Sequence, residues 1–485
     1  MQRTFIFNLA LIIILNLIIK PFYIFGIDAE VQNQVGTSEY GLYFSLLNLT
    51  FLFNIILDFG IANYTSKTIA QHPNLVGNYF SKLLSIKFIL FFLYLLSIIA
   101  IGLILNYNTI SLKILLLLIF NQFLISGIQF IRANLTGLHQ FKAEAFLSVF
   151  DRLLLIIICS ILLWTNTFVE EFTIFTFIVA QMIAYGLTAI VSLLIVFRHI
   201  KFIKIRFNRS YTLTLLKQSA PYAILIFLMF IYNRIDAIMI ERLLDDGQYQ
   251  AGIYAQGFRY LDAVNMIALL FAGLLLPIYA RLIKEKKTVY PMVKTPIKLL
   301  VPGSIMIAII GYHYASTIMG WRYNDTNSTS FISFSFLILS FIPIAFTYIF
   351  GTLLTANGNL KILNYMALFG VILNLVLNFI LIPKYKAIGA ANATLITQSM
   401  TAIIQIIIAY RVFYFKIDFS LLSKILIFSL VLIGMNLSEF KLFFGLDLLS
   451  QNSQIILNLI IGTLLIFGFR FLRFSDLATL FKSAK

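Results

Sequence analysis

Long apolar runs separated by short polar stretches recur along the whole chain. A helix needs about 20 apolar residues to cross a membrane, and fourteen such runs predict fourteen transmembrane helices. Their predicted positions are residues 5–27, 40–63, 83–105, 112–131, 146–165, 172–197, 218–240, 252–281, 297–319, 331–355, 362–383, 387–410, 421–437 and 454–472. The first run has no small-residue cleavage site before Asp28, so we interpret it as a retained helix and not a signal peptide. The pattern predicts an all-α polytopic membrane protein, because the connections are too short to hold a soluble domain.

The composition supports the same prediction. Of the 485 residues, 61% are hydrophobic and 11% are charged, whereas about 25% of the residues of a soluble domain are charged. The single cysteine, Cys159, excludes an intrachain disulfide. The four histidines have no metal-binding spacing, so we predict no metal centre and no bound cofactor.

The excess of basic residues, a formal net charge of +17, follows the predicted topology. With the N-terminus in the cytoplasm, 26 of the 36 Lys and Arg residues fall in inner segments, 6 in outer segments and 4 within helices. Cytoplasmic segments of membrane proteins are enriched in Lys and Arg. We therefore predict that both termini are cytoplasmic and that the charge does not indicate nucleic-acid binding.

Two sets of residues recur in the same order, which indicates an internal duplication. Gly41-Leu-Tyr43 opens the second predicted helix and Gly252-Ile-Tyr254 opens the eighth, at an offset of 211 residues. A second match, of Thr136 to Thr355, has an offset of 219. The duplication predicts two six-helix lobes in the same membrane orientation. The predicted domains are an N-terminal lobe (1–200, helices 1–6), a C-terminal lobe (201–415, helices 7–12) and two additional helices (416–485).

Three basic residues within the predicted helices share one depth. A charge that faces lipid costs about 2.5–3.5 kcal/mol, so such residues mark protein interiors or aqueous cavities. Lys20, Arg234 and Arg259 each lie six or seven residues from the outer end of a predicted helix. At 1.5 Å per residue, this places them roughly 10 Å below the outer surface. The common depth predicts an anion-binding cavity lined by cations from both lobes.

The eighth predicted helix supplies two further candidates for the cavity wall. Gln256, Arg259 and Asp262 follow one side of that helix at a spacing of three residues. We expect all three to line the substrate-binding cavity with Lys20 and Arg234. A local interpretation stays open, because Asp262 could neutralise Arg259 from one helical turn away.

Charged residues near the inner surface have a simpler interpretation. Asp58 on helix 2 and Asp151-Arg152 on helix 5 lie close to the predicted cytoplasmic ends. Ion pairs that tie helices together, or side chains that reach the interface, explain such positions without a ligand. We therefore assign these residues a structural role.

Polar residues on helices 11 and 12 offer oxygen ligands for a monovalent cation. Asn374 and Asn378 are four residues apart, and Thr394 lies on the next helix. Together with Asp236 on helix 7, they predict a cation site that would couple transport to a Na⁺ or H⁺ gradient. Asparagine side chains also hold membrane helices together without a ligand, so both interpretations stay open.

Several short motifs, by their order and spacing, resemble a known family. They are Gly36-Thr-Ser-Glu-Tyr-Gly41-Leu-Tyr43, Leu57-Asp58-Phe-Gly60-Ile, Asn233-Arg-Ile-Asp236-Ala-Ile-Met239, Ala251-Gly-Ile-Tyr254-Ala and Ile388-Gly-Ala-Ala-Asn392-Ala-Thr394. On these motifs and the helix count, the chain resembles the polysaccharide and O-antigen flippases of the multidrug/oligosaccharidyl-lipid/polysaccharide (MOP) exporter superfamily. The first outer loop departs from the family, since it is acidic (Asp28, Glu30) where relatives often carry a basic residue.

The resemblance implies a V-shaped alternating-access transporter of two six-helix lobes plus two C-terminal helices. It implies a flippase and not an enzyme. Its substrate would be an undecaprenyl-diphosphate-linked oligosaccharide, a repeat unit of O-antigen, capsule or exopolysaccharide, moved across the bacterial cytoplasmic (inner) membrane with ion-gradient coupling. Polysaccharide polymerase and chain-length regulator proteins are implied as partners, alongside the membrane lipids.

Three alternative functions differ from this one in the residues or loops that they require. A cation-coupled multidrug exporter of the same fold would need an acidic residue in its cavity, but helix 1 carries Lys20, which favours an anionic substrate. A lipid II flippase shares the architecture and stays open as an alternative. A polysaccharide polymerase would need a long catalytic outer loop, and no predicted outer loop exceeds roughly twenty residues.

Overall fold

The protein is built from long helices. The computed structural model describes residues 15–471, apart from 63–64, 66–68, 70–75, 139, 166–170, 199–208, 438–440 and 443–445. The described residues form no strand, and ten of their helices are long and apolar enough to cross a membrane. The prediction of an all-α polytopic membrane protein is therefore confirmed. Contacts divide the chain into two compact units, Met1–Gly252 (unit 1) and Ile253–Lys485 (unit 2).

Unit 1 is a bundle of helices packed around α2. Its described helices are α1 (15–35, which includes the π-helical turn Tyr23–Asp28 and Ala29–Val35), α2 (Thr37–Leu52), α3 (Asn54–Asp58), α4 (Val76–Ile104), α5 (Thr109–Gly137), α6 (Phe141–Trp164), α7 (Ile174–Phe197), α8 (Arg209–Leu243) and the first turn of α9 (Gly247–Lys284). The main packing pairs are α5 with α7, α8 with α2, and α6 with α7. Nearly every residue of α2 is buried, so this helix forms the centre of the unit.

Unit 2 is a bundle centred on α14. Beyond the greater part of α9, its described helices are α10 (Tyr290–His313), α11 (Ala315–Gly320), α12 (Ser328–Leu339), α13 (Phe341–Ala356), α14 (Leu360–Phe413), α15 (Phe419–Gly434) and α16 (Gln451–Gly468). The helix α14 packs on α13 and α12, and α10 packs on both of those helices. The two C-terminal helices, α15 and α16, pack against α10.

The fourteen predicted segments all have helical counterparts in the described residues. Only ten of the described helices are long and apolar enough to cross a membrane, and three features of the backbone account for most of the difference from fourteen. The second segment is broken at Phe53 (φ −96°, ψ 3°), segments 11 and 12 form one helix interrupted at Lys386 (φ 52°, ψ −132°), and α15 has only 16 residues. Residues 5–14 of the first predicted segment lie outside the described residues.

A buried lysine, Lys87, binds the C-terminal end of α3, near the end of the second predicted segment. After α3, the backbone turns at Phe59 (φ 44°) and Gly60 (φ 80°). Lys87 Nζ on α4 donates to the Leu57 carbonyl (3.0 Å), the Asp58 carboxylate (3.0 Å) and Ser126 Oγ (2.7 Å). A cation at a helix C-terminus offsets the partial negative charge of the last carbonyls. Asp58 therefore belongs to an ion pair that ties helices together.

The contacts of α8 determine where the two units divide. This helix packs on α2, with the rings of Phe53 and Phe227 6.0 Å apart. The division therefore falls after Gly252, inside α9, whereas the sequence repeat predicts a lobe boundary at residue 200. The three predicted domains, which rest on the repeat, stay a prediction.

Candidate functional site

The candidate site in unit 1 is built around Lys20, and α1 determines the position of this residue. Pro21 has no backbone N–H and cannot make the usual helical hydrogen bond. The helix widens directly afterwards into the π-helical turn Tyr23–Asp28 and then continues to Val35. Lys20 therefore lies much further from the outer end of its helix than the predicted end at residue 27 implied. Single π-helical turns inside helices are frequent at functional sites.

Four charged residues on α5 and α6 act electrostatically on the half-buried Lys20. The charges that act on Lys20 are those of Arg152, Arg132, Asp151 and Glu144. Arg132 Nη2 pairs with Glu144 (2.5 Å), and Arg152 Nε lies 3.7 Å from Asp151. Each carboxylate thus has an arginine partner, whereas Lys20 has no ion-pair partner among the described residues. We name these five residues the Lys20 cluster; its three cations and two anions leave one net positive charge.

Two tyrosines fix Arg152 within the Lys20 cluster. The guanidinium donates a hydrogen bond from Nη1 to Tyr185 Oη (2.9 Å). It also lies over the ring of Tyr23, 4.8 Å from its centroid. Planar contact with an aromatic face suits Arg better than Lys. The sequence grouped Arg152 with Asp58 near the inner surface, but the structure places it among the charges around Lys20.

Arg234 on α8, the other predicted cavity cation of unit 1, has different neighbours from Lys20. Its Nη1 lies 3.5 Å from Asn48 Oδ1 on α2, and its guanidinium lies 5.6 Å from the centroid of the Phe51 ring. These contacts differ from those of Lys20, so the predicted common level of Lys20 and Arg234 stays a prediction. Two residues further along α8, Asp236 is completely buried.

The three predicted residues of α9 have separate contacts. Arg259 Nη1 and Asp262 Oδ2 are 3.7 Å apart, one turn from each other on the same helix. Gln256 is buried and donates from Nε2 to the backbone carbonyl of Asp325 (2.9 Å). The local pairing of Arg259 is therefore present, and Gln256 anchors the segment before α12. Their part in substrate binding stays a prediction.

The polar residues predicted for cation coupling are all buried. Asn378 Nδ2 donates to Asn374 Oδ1 (3.1 Å), so these two side chains are together on α14. Asn374 Nδ2 has no hydrogen-bond partner among the described residues. Thr394 Oγ1 lies 3.2 Å from Tyr254 Oη on α9. Asn374, Asn378 and Thr394 belong to unit 2, whereas Asp236 belongs to unit 1.

Sequence reasoning missed several residues around Lys20. Arg132 and Glu144 were not predicted as site residues, yet the charges of both act on Lys20. Tyr185, which accepts a hydrogen bond from Arg152, was not predicted either. A signal was present, because α5 and α6 are separated by only a short connection and their facing ends carry opposite charges. The position of a residue along a helix can be counted from the sequence. The neighbouring helix that its side chain faces cannot be predicted in this way.

Comparisons of sequence give a family. A family model described as polysaccharide biosynthesis protein matches residues 8–283, more than half of the chain. An uncharacterised membrane protein of Methanocaldococcus jannaschii is 26% identical over 211 residues, which are 42% of this chain and 47% of that relative. This match therefore spans less than half the length of the relative.

Comparisons of structure give a fold. The chain is similar to an inward closed conformation of the lipid II flippase MurJ, with a TM-score of 0.62 over 96% of both chains at 16% identity. A MOP superfamily transporter from Pyrococcus furiosus has a TM-score of 0.61 at 12% identity, over 84% of this chain and 95% of that one. An inward-facing multidrug transporter of the MATE family has a TM-score of 0.58 at 15% identity, over 81% of this chain and 94% of that one. The fold is that of MOP superfamily transporters.

Proposed function

This chain belongs to the polysaccharide biosynthesis protein family, and on that premise we propose that it is a flippase for an undecaprenyl-diphosphate-linked oligosaccharide. The oligosaccharide would be a repeat unit of O-antigen, capsule or exopolysaccharide. The membrane would be the bacterial cytoplasmic membrane, with both termini on the cytoplasmic side. The family and fold both indicate a transporter, which moves its substrate without breaking a covalent bond.

The observation that carries the proposal is the net positive charge of the Lys20 cluster. A diphosphate is recognised by charge-assisted hydrogen bonds from Lys and Arg. Lys20 offers three ammonium donors and has no ion-pair partner among the described residues. Arg152, held by Tyr185 and Tyr23, adds a guanidinium in a fixed position. We propose that Lys20 contacts the diphosphate and that Arg152 adds to the local positive potential.

The predicted cations outside the Lys20 cluster have a secondary place in this proposal. Arg234 and Arg259 each already have a polar or acidic neighbour, Asn48 and Asp262 respectively. Substitution of either arginine should therefore remove less uncompensated positive charge than substitution of Lys20. We retain both as substrate-binding residues, with Lys20 first in importance.

Coupling to a cation gradient is a second part of the proposal. Buried amide and hydroxyl oxygens are the ligands that hard monovalent cations share with Ca²⁺ and Mg²⁺. Asn374, Asn378 and Thr394 supply such oxygens in unit 2, where Asn374 and Asn378 lie within hydrogen-bond distance of each other. Asp236 supplies a buried carboxylate in unit 1. We propose that these residues respond to Na⁺ or H⁺.

Export of the surface polysaccharide from cells that lack the chromosomal gene tests the role of Lys20. Cells that express Lys20→Ala should export about ten- to a hundredfold less than cells with the unchanged protein, because a hydrogen bond to a charged group contributes about 1.5–3 kcal/mol. Lys20→Arg keeps the charge and should retain most of the export. The lipid-linked repeat unit should accumulate in the membrane of the Lys20→Ala cells.

A matched control uses Lys113, an exposed lysine at the start of α5. Lys113→Ala should export normally, and membrane levels of all variants should be equal on immunoblots. Unchanged export by Lys20→Ala would remove the cluster from the proposal. If gene loss instead stopped peptidoglycan synthesis and left the surface polysaccharide intact, the lipid II alternative would replace the proposed substrate.

A further inference from the structure

Unit 2 contains two joined cavities where the connections α9–α10 and α14–α15 meet. The larger cavity, about 660 Å³, is lined by residues 287–290 and 413–419. The smaller, about 210 Å³, lies between α10, α13, α14 and α15. Tyr290, Phe415, Ile417 and Asp418 line both cavities. The two cavities therefore form one continuous site, which shares no residue with the Lys20 cluster.

The walls of the smaller cavity are apolar. Aliphatic and aromatic side chains from four helices line it, among them Val293, Ile297, Phe350, Ile406 and Ile425. An apolar cavity of this kind favours hydrocarbon over water, at about 0.8 kcal/mol for each buried CH₂ group. The smaller cavity is therefore suited to part of an acyl chain.

The rim of the larger cavity is positively charged. Lys294 pairs with Asp418, and Glu285 pairs with both Arg281 (2.9 Å) and Lys287 (2.8 Å). Lys416 lines the cavity and has no ion-pair partner among the described residues. Of the charged residues that line the larger cavity, Lys287 and Lys416 are cations and Asp418 is an anion, which leaves one net positive charge.

Both carboxylates of this rim are ionised at neutral pH. Hydrogen bonds from Arg281 and Lys287 lower the pKa of Glu285 to about 2. Hydrogen bonds from Lys294 and from the Leu421 backbone N–H lower the pKa of Asp418, and the charge of Lys298 acts in the same direction. The rim therefore keeps its net positive charge at neutral pH, where both carboxylates and their basic partners are ionised.

Aromatic residues connect the charged rim to the apolar cavity. The Phe415 ring contacts Tyr290 (5.3 Å between centroids), Tyr410 (5.7 Å) and Phe413 (5.5 Å). Tyr414 and Phe419 stand beside them at 90% and 73% exposure. Aromatic residues of this kind concentrate at the membrane–water interface. The polarity of the site therefore changes in the same sequence as that of a membrane lipid. A charged outer part is followed by an interfacial zone and then by an apolar inner part.

We propose that these joined cavities bind one anionic diacyl phospholipid, with its headgroup at Lys287 and Lys416 and part of one acyl chain in the smaller cavity. Basic pockets between transmembrane helices on the cytoplasmic side are known sites for anionic headgroups. The lipid would bridge the α9–α10 and α14–α15 connections and so hold the base of α15 against α10.

Native mass spectrometry of the full-length protein in detergent tests this proposal. Phosphatidylglycerol should bind at one molecule per chain, and phosphatidylcholine should bind far more weakly. The double variant Lys287→Ala/Lys416→Ala should weaken phosphatidylglycerol binding about thirtyfold, at about 1 kcal/mol for each lysine. Ile406→Trp, which fills the smaller cavity, should also weaken it. Lys361→Ala removes an exposed lysine outside the site and should leave binding unchanged.

Four results would overturn the proposal. They are equal binding of phosphatidylglycerol and phosphatidylcholine, equal weakening by Lys361→Ala, equal affinity for glycerol phosphate without acyl chains, and stronger binding of undecaprenyl phosphate than of phosphatidylglycerol. The third would indicate a soluble anion, and the fourth would indicate a site for the carrier lipid. Size-exclusion chromatography of each variant confirms that it is folded. Because the site is separate from the Lys20 cluster, normal binding by Lys20→Ala would distinguish this inference from the proposed function.

Discussion

The two units use equivalent tyrosines in equivalent ways. In unit 1, Gln181 Nε2 on α7 donates to Tyr43 Oη on α2 (2.8 Å). In unit 2, Tyr254 Oη on α9 lies 3.2 Å from Thr394 Oγ1 on α14. The tyrosines are 211 residues apart and their partners 213, so the two contacts recur at the offset of the predicted repeat. Each contact joins two helices of one unit, with glutamine as the partner of the tyrosine in unit 1 and threonine in unit 2.

The charges of the two units are not equivalent in the same way. In unit 1, Lys87 is 5% exposed and joins α4 to α3 and α5. In unit 2, the pair Arg259–Asp262 is internal to one helix, at 3.7 Å. A buried charge that loses its partner is costly, whereas a pair one turn apart on a helix contributes little. The difference indicates that the buried pair Lys87–Asp58 ties helices of unit 1 together, whereas the Arg259–Asp262 pair lies within a single helix of unit 2.

The largest expected effect comes from breaking the ion pair of unit 1. Lys87→Met should lower the free energy of unfolding by about 3–5 kcal/mol, because it leaves the Asp58 carboxylate and the Leu57 carbonyl without their donor. Arg259→Met should cost less, because the Arg259–Asp262 pair is longer, at 3.7 Å against 3.0 Å for Lys87–Asp58, and lies within one helix. Urea unfolding of both variants in detergent micelles measures the difference. Adding Asp58→Leu to Lys87→Met should recover stability, and equal costs for the two single variants would contradict the comparison.

The next effect concerns the glycines of the duplicated motif. A Cβ atom on Gly41 would overlap the carbonyl oxygen of Gln248, and one on Gly252 would overlap the carbonyl oxygen of Thr37. Because both obstacles are backbone atoms, α2 and the start of α9 would have to move apart. Gly41→Ala and Gly252→Ala should each lower the free energy of unfolding by about 1–3 kcal/mol.

Gly273 provides the control for both glycine variants. It lies on α9, where a Cβ atom would meet nothing within 4 Å, so Gly273→Ala should leave the unfolding midpoint unchanged or raise it slightly. If Gly41→Ala lowered the midpoint but Gly252→Ala did not, the two glycines would not be equivalent members of the repeat.

The helices of this protein were predictable because the apolar runs are long, but their ends were not. No proline or glycine lies between Leu42 and Phe59, so no residue close to Phe53 marked the break. Similarly, α1 continues to Val35 through polar residues that a hydropathy count excludes. That extension moves the end of the helix from the predicted residue 27 to Val35 and so lengthens the helical segment that follows Lys20. Local composition predicts which residues enter a membrane, whereas packing decides where each helix ends and which neighbour a charge meets.

The smallest expected effect tests the equivalence of the two tyrosine contacts. Tyr43→Phe and Tyr254→Phe each remove one hydroxyl and keep the packed ring, so each should cost about 1 kcal/mol in unfolding free energy. The two contacts share no partner and belong to different units, so the double variant should cost the sum of the two. Urea unfolding midpoints measure all three variants, with Tyr385→Phe, at an exposed tyrosine, as the control. A cost at Tyr43 but none at Tyr254 would show that the duplication preserved the geometry of the contact without its contribution to stability.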